Sequence, residues 1–332
     1  MTLEIDPLGG RTTREFDDAG RPILAIDPAG GRSAWTYDPL GRLVQATDAM
    51  GGVVRLRYAA EGLEAVAQPG FGLPVEVEEP GGGRHAFEHD LRGNLARYVD
   101  PAGRERRFTR DLRGLTLAVT DGEGILARYG WTGRGELSWE ATERGPRRRF
   151  AYDMLSRLVA SQTAGEGVIR LARDDAGRVV AIERPDGGTV TLGYDPEGRV
   201  DRHRDAAGRE TRWAYDGLPF PVRRVDPDGS AFAYRYDGEL NLVGLTNQKG
   251  EIYQLDYDAA GRLVREVGFD GREQRYAHDP CGRLLRHDDA GLRTTVFRRD
   301  AMGRILEKRF GDGTTHRFLY DRAGRLTEAA ND

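Results

Sequence analysis

One short phrase returns at a fixed interval along the whole chain, and that interval constrains the fold more than any other feature. Residues 37–43 read YDPLGRL, and close variants recur as YDPEGRV at 194–200, YDAAGRL at 257–263 and YDRAGRL at 320–326. The residue in the Tyr place falls at His89, Arg110, Trp131, Tyr152, Arg173, Tyr194, Tyr215, Tyr236, Tyr257, His278, Arg299 and Tyr320, every step being 21 residues. Phe16, Tyr37 and Tyr58 form an earlier set with the same step. A fixed period of this length marks a repeat architecture, in which each unit buries its apolar face only against its neighbours.

A second signal lies about 11 residues after the first, at Asp27, Asp48, Asp100, Asp121, Asp205 and Asp226. Each unit therefore carries two turns separated by about six residues. In Asp-Pro-x-Gly, Asp caps the turn, Pro presets φ and Gly takes the left-handed position. A type I turn followed by a left-handed glycine is a common hairpin loop with a bulge. The segments between turns alternate like strands: Thr211, Trp213 and Tyr215 share one face, while Glu210, Arg212 and Ala214 share the other. No helical periodicity or capping box opens an apolar run. The prediction is an all-β chain of antiparallel two-stranded repeats. Tyr and Arg flank each first-type turn, which predicts that they face each other across the hairpin, where a cation–π contact contributes roughly 0.5–1 kcal/mol.

Composition agrees with a wall more than with a filled core. Only 38% of the 332 residues are apolar, mean hydropathy is −0.62, and glycine makes up 45 residues, against a usual share of about 7%. Charged residues reach 31% with both signs mixed, for a net charge of −4. No basic run stands out, which argues against a nucleic-acid partner. No apolar run approaches a membrane span, and residues 1–10 have no signal-peptide pattern. Cys281, the single cysteine, allows no intrachain disulfide.

Fifteen units of two strands give about 30 strands. At ~4.8 Å each, a flat sheet would be roughly 145 Å wide. Open twisted sheets rarely exceed ~10 strands without curling or splitting, and about eight strands already close a filled barrel. Geometry thus predicts a band of sheet that rolls on itself into a hollow wall. The alternative is a β-propeller with blades of about 42 residues.

The pattern breaks at about residues 58–72. The step from Tyr58 to His89 is 31, and Gln68-Pro-Gly-Phe-Gly72 continues the later frame in degenerate form. The extra ten residues match one strand plus one turn, which would carry later corners to the opposite edge of the sheet. Drift in one repeat and a seam near 60–75 are the two readings. Neither end has a polar cap, and bare sheet edges aggregate. The domain reading is therefore one segment, 1–332, uncapped and cut from a longer array.

Signatures of chemistry are missing: no phosphate loop, no His-Glu-x-x-His, no Gly-x-Ser-x-Gly. His85 and His89 lie ~13 Å apart on a strand, too far for one metal. His287-Asp288-Asp289 reads as a solvated turn, and Cys281 sits in a turn without an evident His or Asn partner. Catalytic, metal and cofactor residues are accordingly assigned as none. The residues singled out are those of the repeat: Tyr37, Asp38, Gly41 and Arg42; Tyr152 and Asp153; Tyr194, Asp195, Gly198 and Arg199; Tyr236 and Asp237; Tyr257, Asp258, Gly261 and Arg262; Tyr320, Asp321, Gly324 and Arg325.

This repeated Tyr-Asp-x-x-Gly-Arg-[Leu/Val] resembles the YD repeat of Rhs proteins, also found in the C components of insecticidal toxin complexes and in teneurins. The resemblance covers nearly the whole chain and is weakest at 59–88. It implies repeats that spiral into a hollow β-shell enclosing a C-terminal toxin, used in bacterial competition or virulence and often delivered by type VI secretion. The implied partners are the remainder of the shell, the enclosed toxin domain and secretion-spike proteins, with edge-to-edge self-association as a further expectation. The implied route is synthesis in the bacterial cytoplasm followed by secretion or delivery to target cells. The family's cleavage segment, built around Asp-Pro-x-Gly-x-x-Gly-Gly, is not found; Asp27-Pro-Ala-Gly-Gly31 is a partial lookalike at a repeat turn. Self-cleavage is not carried over, and the segment is read as non-enzymatic. A carbohydrate- or protein-binding surface module is the alternative, using Trp35, Trp131, Trp139 and Trp213 as exposed stacking platforms.

Overall fold

The structure is a computed structural model that describes residues 1–59, 72–290 and 293–332. It is all-β: 31 strands and no helix among the described residues. The chain divides into two compact units. Unit 1 comprises Met1–Gly103 with Tyr253–Asp332, and unit 2 comprises Arg104–Ile252.

In unit 2, fourteen strands from Glu105–Arg110 to Leu242–Thr246 run in order, each pairing antiparallel with the next. A propeller would break such a run into separate four-stranded blades. The unbroken pairing rules that alternative out. Unit 1 has the same construction in two runs, one from Thr2–Ile5 to Leu95–Val99 and one ending at Leu326–Asn331.

The hairpin geometry follows the sequence reading. At Tyr37, Gly41 N–H donates to the Asp38 carbonyl and Asp38 N–H donates to the Arg42 carbonyl, both at 2.9 Å. Gly41 has φ +82°, the left-handed value that a side chain resists. The ladder is regular from Ala34↔Thr47 to Thr36↔Gln45, then shifts by a bulge before Tyr37↔Leu43. The bulge recurs before the first-type corners at Tyr152, Tyr194, Tyr236 and Tyr257, is missing at that of Tyr215, and is absent from turns such as that joining Pro22–Ile26 to Arg32–Tyr37. It marks one edge of the sheet as chemically distinct from the other.

The two faces also differ. One bears the Tyr-place residue and those two and four before it, such as Tyr194, Leu192 and Val190. The other carries crossed ion pairs, including Arg57–Glu76 (3.2 Å), Arg97–Glu88 (2.6 Å) and Arg265–Asp256 (2.6 Å). Exposed pairs of this kind contribute little each, roughly 0–1 kcal/mol. Ala127 and Val190 are the only buried hydrophobic residues among the described residues, and none of those has a fully buried side chain. Cohesion in this fold comes from ladders and from contacts between adjacent strands, not from a packed interior.

The break at 58–72 falls largely on residues 60–71, outside the described residues. On either side, strand Val53–Tyr58 pairs directly with Pro74–Glu78, and Tyr58 stands opposite Pro74 just as Tyr37 stands opposite Leu43. Strand Arg84–His89 follows at once. The corners at Tyr58 and His89 therefore share one edge, contrary to the expectation that ten residues would move them across. A half-unit in length need not be a half-unit in pairing.

Candidate functional site

The best-defined constellation of side chains is the first-type corner, and its parts repeat along both units. Asp38 Oδ1 accepts the N–H groups of Leu40 (3.0 Å) and Arg42 (2.9 Å), while Oδ2 accepts Arg42 Nε at 2.7 Å. The same three-point hold recurs at Asp153–Arg157 and Asp258–Arg262, and the Arg N–H and Nε bonds recur at Asp195–Arg199 and Asp321–Arg325. In the unit of Tyr236 and Asp237, Asn241 replaces Arg and gives its Nδ2 to Asp237 at 3.0 Å. The Arg325 N–H and then its guanidinium hold the Asp321 carboxyl below its ordinary range. These aspartates are ionised, chelated turn caps, and none is poised to move a proton.

Arg42 and Arg199 lie over tyrosines other than those of their own corners, Tyr37 and Tyr194. Instead the arginine lies over the tyrosine of the following unit: Arg21 over Tyr37 (4.7 Å), Arg42 over Tyr58 (4.4 Å), Arg178 over Tyr194 (4.7 Å), Arg199 over Tyr215 (4.3 Å) and Arg304 over Tyr320 (4.8 Å). The Nε bond to Asp turns the guanidinium outward from its own hairpin, which is the physical reason the cross-hairpin expectation fails. The tyrosine hydroxyl then donates to the carbonyl 15 residues earlier: Tyr37 to Pro22, Tyr152 to Leu137, Tyr194 to Val179, Tyr236 to Pro221 and Tyr320 to Ile305. At three places where the motif holds another residue, the bond survives. Trp131 Nε1 donates to Thr116, Arg173 to Leu158 and Arg299 to Leu284. Trp131, Arg173 and Arg299 thus share one property with tyrosine, a donor at the end of a long side chain. Spacing conceals this link, because it joins units and not neighbours.

Other candidate groups lie elsewhere than expected. The four tryptophans are half-buried, not exposed. Arg147 covers Trp139 at 3.8 Å, and Trp139 itself lies across Gly130, where a Cβ would fall inside the indole. His85 is engaged at both ring nitrogens, with Tyr98 (2.8 Å) and Glu79 (2.7 Å). His287 is on a strand, Leu284–Asp289, stacked on Tyr276 at 4.9 Å and bonded to Gln274, not in a solvated turn. One cluster has no sequence signal at all: Glu266 accepts the hydroxyls of Tyr253 and Tyr276, each at 2.7 Å. That bond, then burial, push the Tyr253 hydroxyl up to about 12. Among the described residues no group of three or more His, Cys, Asp or Glu is placed to hold a metal ion.

Within unit 1 the two edges of the sheet meet. Second-type turns of residues 1–103 rest on first-type corners of residues 253–332. The Ala29 N–H points to the Cys281 sulfur, and the Asp27 carboxylate acts on both Cys281 and Arg283. Burial is the largest influence on the Cys281 thiol and pushes it up. A Cβ on Gly81 would lie 3.2 Å from the Ala323 Cβ, and Glu79 faces Arg325. Met50 and Pro80 line one cleft with Met302 and Ala323. His278, in a Tyr place, lines another with Asp6, Pro28, Arg262 and Asp279, and its Nδ1 is buried without a partner.

Comparison with known proteins agrees with this geometry. The RHS Repeat family model matches residues 16–53, 173–200, 194–231, 236–273 and 257–294. No curated protein matches the chain in sequence. In fold, the chain is similar to the crystal structure of TcdB2-TccC3 (TM-score 0.78, 16% identity), over 97% of this chain and 20% of that one. It is similar also to TcdB2-TccC3 without its hypervariable C-terminal region (TM-score 0.77, 16% identity, 96% and 19%). A third likeness is to the Photorhabdus luminescens Tc holotoxin pore carrying TccC3-D651A (TM-score 0.60, 14% identity, 97% and 23%). The chain spans about a fifth of the length of those chains. No helix among the described residues is long and apolar enough to cross a membrane. Repeated family matches, one corner geometry in matched and unmatched units, and a shared all-β fold show that this chain is built of Rhs/YD repeats.

Proposed function

We propose that residues 1–332 are one wall segment of a shell that encloses a toxin and releases it at a target cell. The carrying observation is a sheet whose side chains are spent on holding adjacent repeats together. Its aspartates are chelated by arginine, its tyrosines tie one unit to the last, and few side chains are deeply buried. Such a wall contributes exclusion, not catalysis: it keeps proteases out and cargo in. The likeness to TcdB2-TccC3 structures supports the reading.

In this reading the partners are the rest of the shell, an enclosed toxin and secretion-spike proteins. The polypeptide is made in the bacterial cytoplasm, then secreted or delivered, type VI secretion being one route. The carbohydrate-binding alternative is weakened by the half-buried, engaged tryptophans Trp131 and Trp139.

Limited proteolysis of the full-length polypeptide that carries this segment tests the proposal. Segments outside the repeats should resist cleavage while the wall is intact and become cleavable once acid or denaturant opens it. Cleavage of all such segments at the rate of an unfolded chain, with the wall still folded, overturns it.

A further inference from the structure

In the run of unit 1 that ends at Asp332, the face opposite the tyrosines is balanced in charge: Arg265, Arg286 and Arg309 hold Asp256, Asp288 and Glu307 at 2.6, 2.8 and 3.0 Å. The same face of unit 2 breaks that balance. Strands Val200–Arg204, Glu210–Ala214, Arg223–Val225 and Ala231–Tyr236 pair in succession and set Arg202, Arg204, Arg212, Arg223 and Arg235 on this face, all exposed. Glu210 takes Arg204 at 2.8 Å and Arg212 at 2.6 Å. Arg202, Arg223 and Arg235 have neither an ion pair nor a hydrogen bond among the described residues. Asp201 comes nearest to them, with its Oδ1 buried at Gly193, and it ion-pairs with none. Arg202 stands directly opposite Arg212, a like-charge pair that destabilises a ladder. Two of the arginines lie over glycines of the next strand. A Cβ on Gly193 would fall 3.0 Å from Arg202 Nε, and one on Gly244 3.3 Å from Arg235 Nε. Strand alternation spreads the five arginines over residues 202–235, so the sequence shows no basic run.

We propose that this arginine patch binds an extended acidic segment of another polypeptide. The argument is charge complementarity and spacing. Arg212 is the cross-strand diagonal neighbour of Arg223, and Arg223 that of Arg235. Such neighbours lie about 7–8 Å apart. Carboxylates at alternate positions of an extended chain recur every ~6.8 Å, close to that step. A guanidinium forks onto a carboxylate with two parallel bonds. The surroundings select among anions. Trp213, Phe232 and Tyr234 alternate onto the other face, and the patch offers no ring on which a base could stack. Between its arginines stand Ala214, Val225, Ala231 and Ala233, side chains too short to enter a bilayer. They leave a low floor over which a peptide backbone can lie. The inference goes beyond the enclosing-wall reading and does not depend on it.

Fluorescence anisotropy tests it, with the whole chain titrated into a labelled peptide of alternating Glu and Ser. Salt is held at about 0.1 M, where charges more than ~10 Å away are largely screened. The chain should bind this peptide and not its Gln-Ser counterpart. Arg202→Gln, Arg223→Gln and Arg235→Gln together should weaken binding about tenfold or more, with unchanged circular dichroism, since none of the three is bonded within the fold. Glu210→Gln should tighten binding by about threefold, because it releases Arg204 and Arg212. The matched triple Arg265→Gln, Arg286→Gln and Arg309→Gln removes the same charge from the balanced face and should leave binding within about twofold. No binding of the acidic peptide, or an equal loss in both triples, overturns the proposal. So does tighter binding of single-stranded oligothymidylate or of phosphatidylserine vesicles, either of which gives the patch a different occupant.

Discussion

The Arg42 guanidinium lies 4.4 Å from the ring centroid of Tyr58 while its Nε donates to Asp38. One side chain thus belongs to two units: it closes its own corner and roofs the tyrosine of the next. Stability in this array is carried by such couplings between nearest neighbours. The pair Arg199 and Tyr215 has the same geometry.

A double-mutant cycle on Arg199 and Tyr215 should therefore show coupling. Arg199→Lys keeps the charge but loses the planar stack and the Nε bond to Asp195, and is expected to cost about 1–2 kcal/mol. Tyr215→Phe removes the hydroxyl bond to the Val200 carbonyl (2.8 Å) and is expected to cost about 1 kcal/mol. With Tyr215→Leu, which removes the ring face that Tyr215→Phe keeps, as the second arm of the cycle, the coupling energy read from urea unfolding is expected at roughly 0.5–1 kcal/mol. Strict additivity would remove the inter-unit role assigned to Arg199.

Two corners lack the glycine their backbone asks for. Ser156 has φ +60° and Leu240 φ +67°, in the Gly places of their units. The left-handed conformation costs a side-chain-bearing residue roughly 1–2 kcal/mol. Ser156→Gly loses the hydroxyl bond to Glu136 (2.6 Å) and recovers only part of that strain. Leu240→Gly has no such bond to lose and should stabilise more, by up to about 1 kcal/mol in denaturant midpoint analysis. Gly41→Ala, at φ +82°, should destabilise by a similar amount.

These corners show what a sequence displays and what it hides. Period, turn type and strand alternation are local properties, written in residues a few positions apart, and Asp38, Gly41 and Arg42 announce them directly. The Arg42–Tyr58 stack and the Tyr37–Pro22 bond join residues in different units, across a separation too long for turn or strand rules to reveal them. The seam between Ala29 and Cys281 is still less legible, since its register depends on how unit 1 brings two distant runs together. His287 misled for a different reason: three polar residues in a row look like a turn, but alternate positions of a strand face different surroundings.

Stability should fall in two stages on acidification. Burial, then the neighbouring Arg262, lower the pKa of His278 below its ordinary 6.5, favouring the neutral ring in the fold. That group imposes no penalty above about pH 6.5 and weakens the fold as pH falls below it, levelling off under the folded pKa. Corner carboxylates behave oppositely in origin: Asp321 and Asp153 are held below 3.8, and their stabilisation is present above that value and lost as pH falls through the lowered pKa. His278→Tyr should abolish the upper stage and leave the lower one. Identical unfolding profiles for both proteins between pH 7 and 5 would show that His278 does not titrate on unfolding.

The seam of unit 1 is testable at Gly81, which has φ outside the left-handed region and so can accept a side chain without backbone strain. What it lacks is room, because a Cβ there lies 3.2 Å from the Ala323 Cβ. Gly81→Val adds branched bulk in that gap, and the neighbouring turn must move away. Hydrogen exchange separates this from general unfolding. Amides of the corner 321–324 should lose protection, while those of strand Ala231–Tyr236 in unit 2 keep theirs. Ala323→Gly in the same background should recover part of the lost protection by returning the space, and no recovery would mean that Gly81 acts on its own turn and not through the seam.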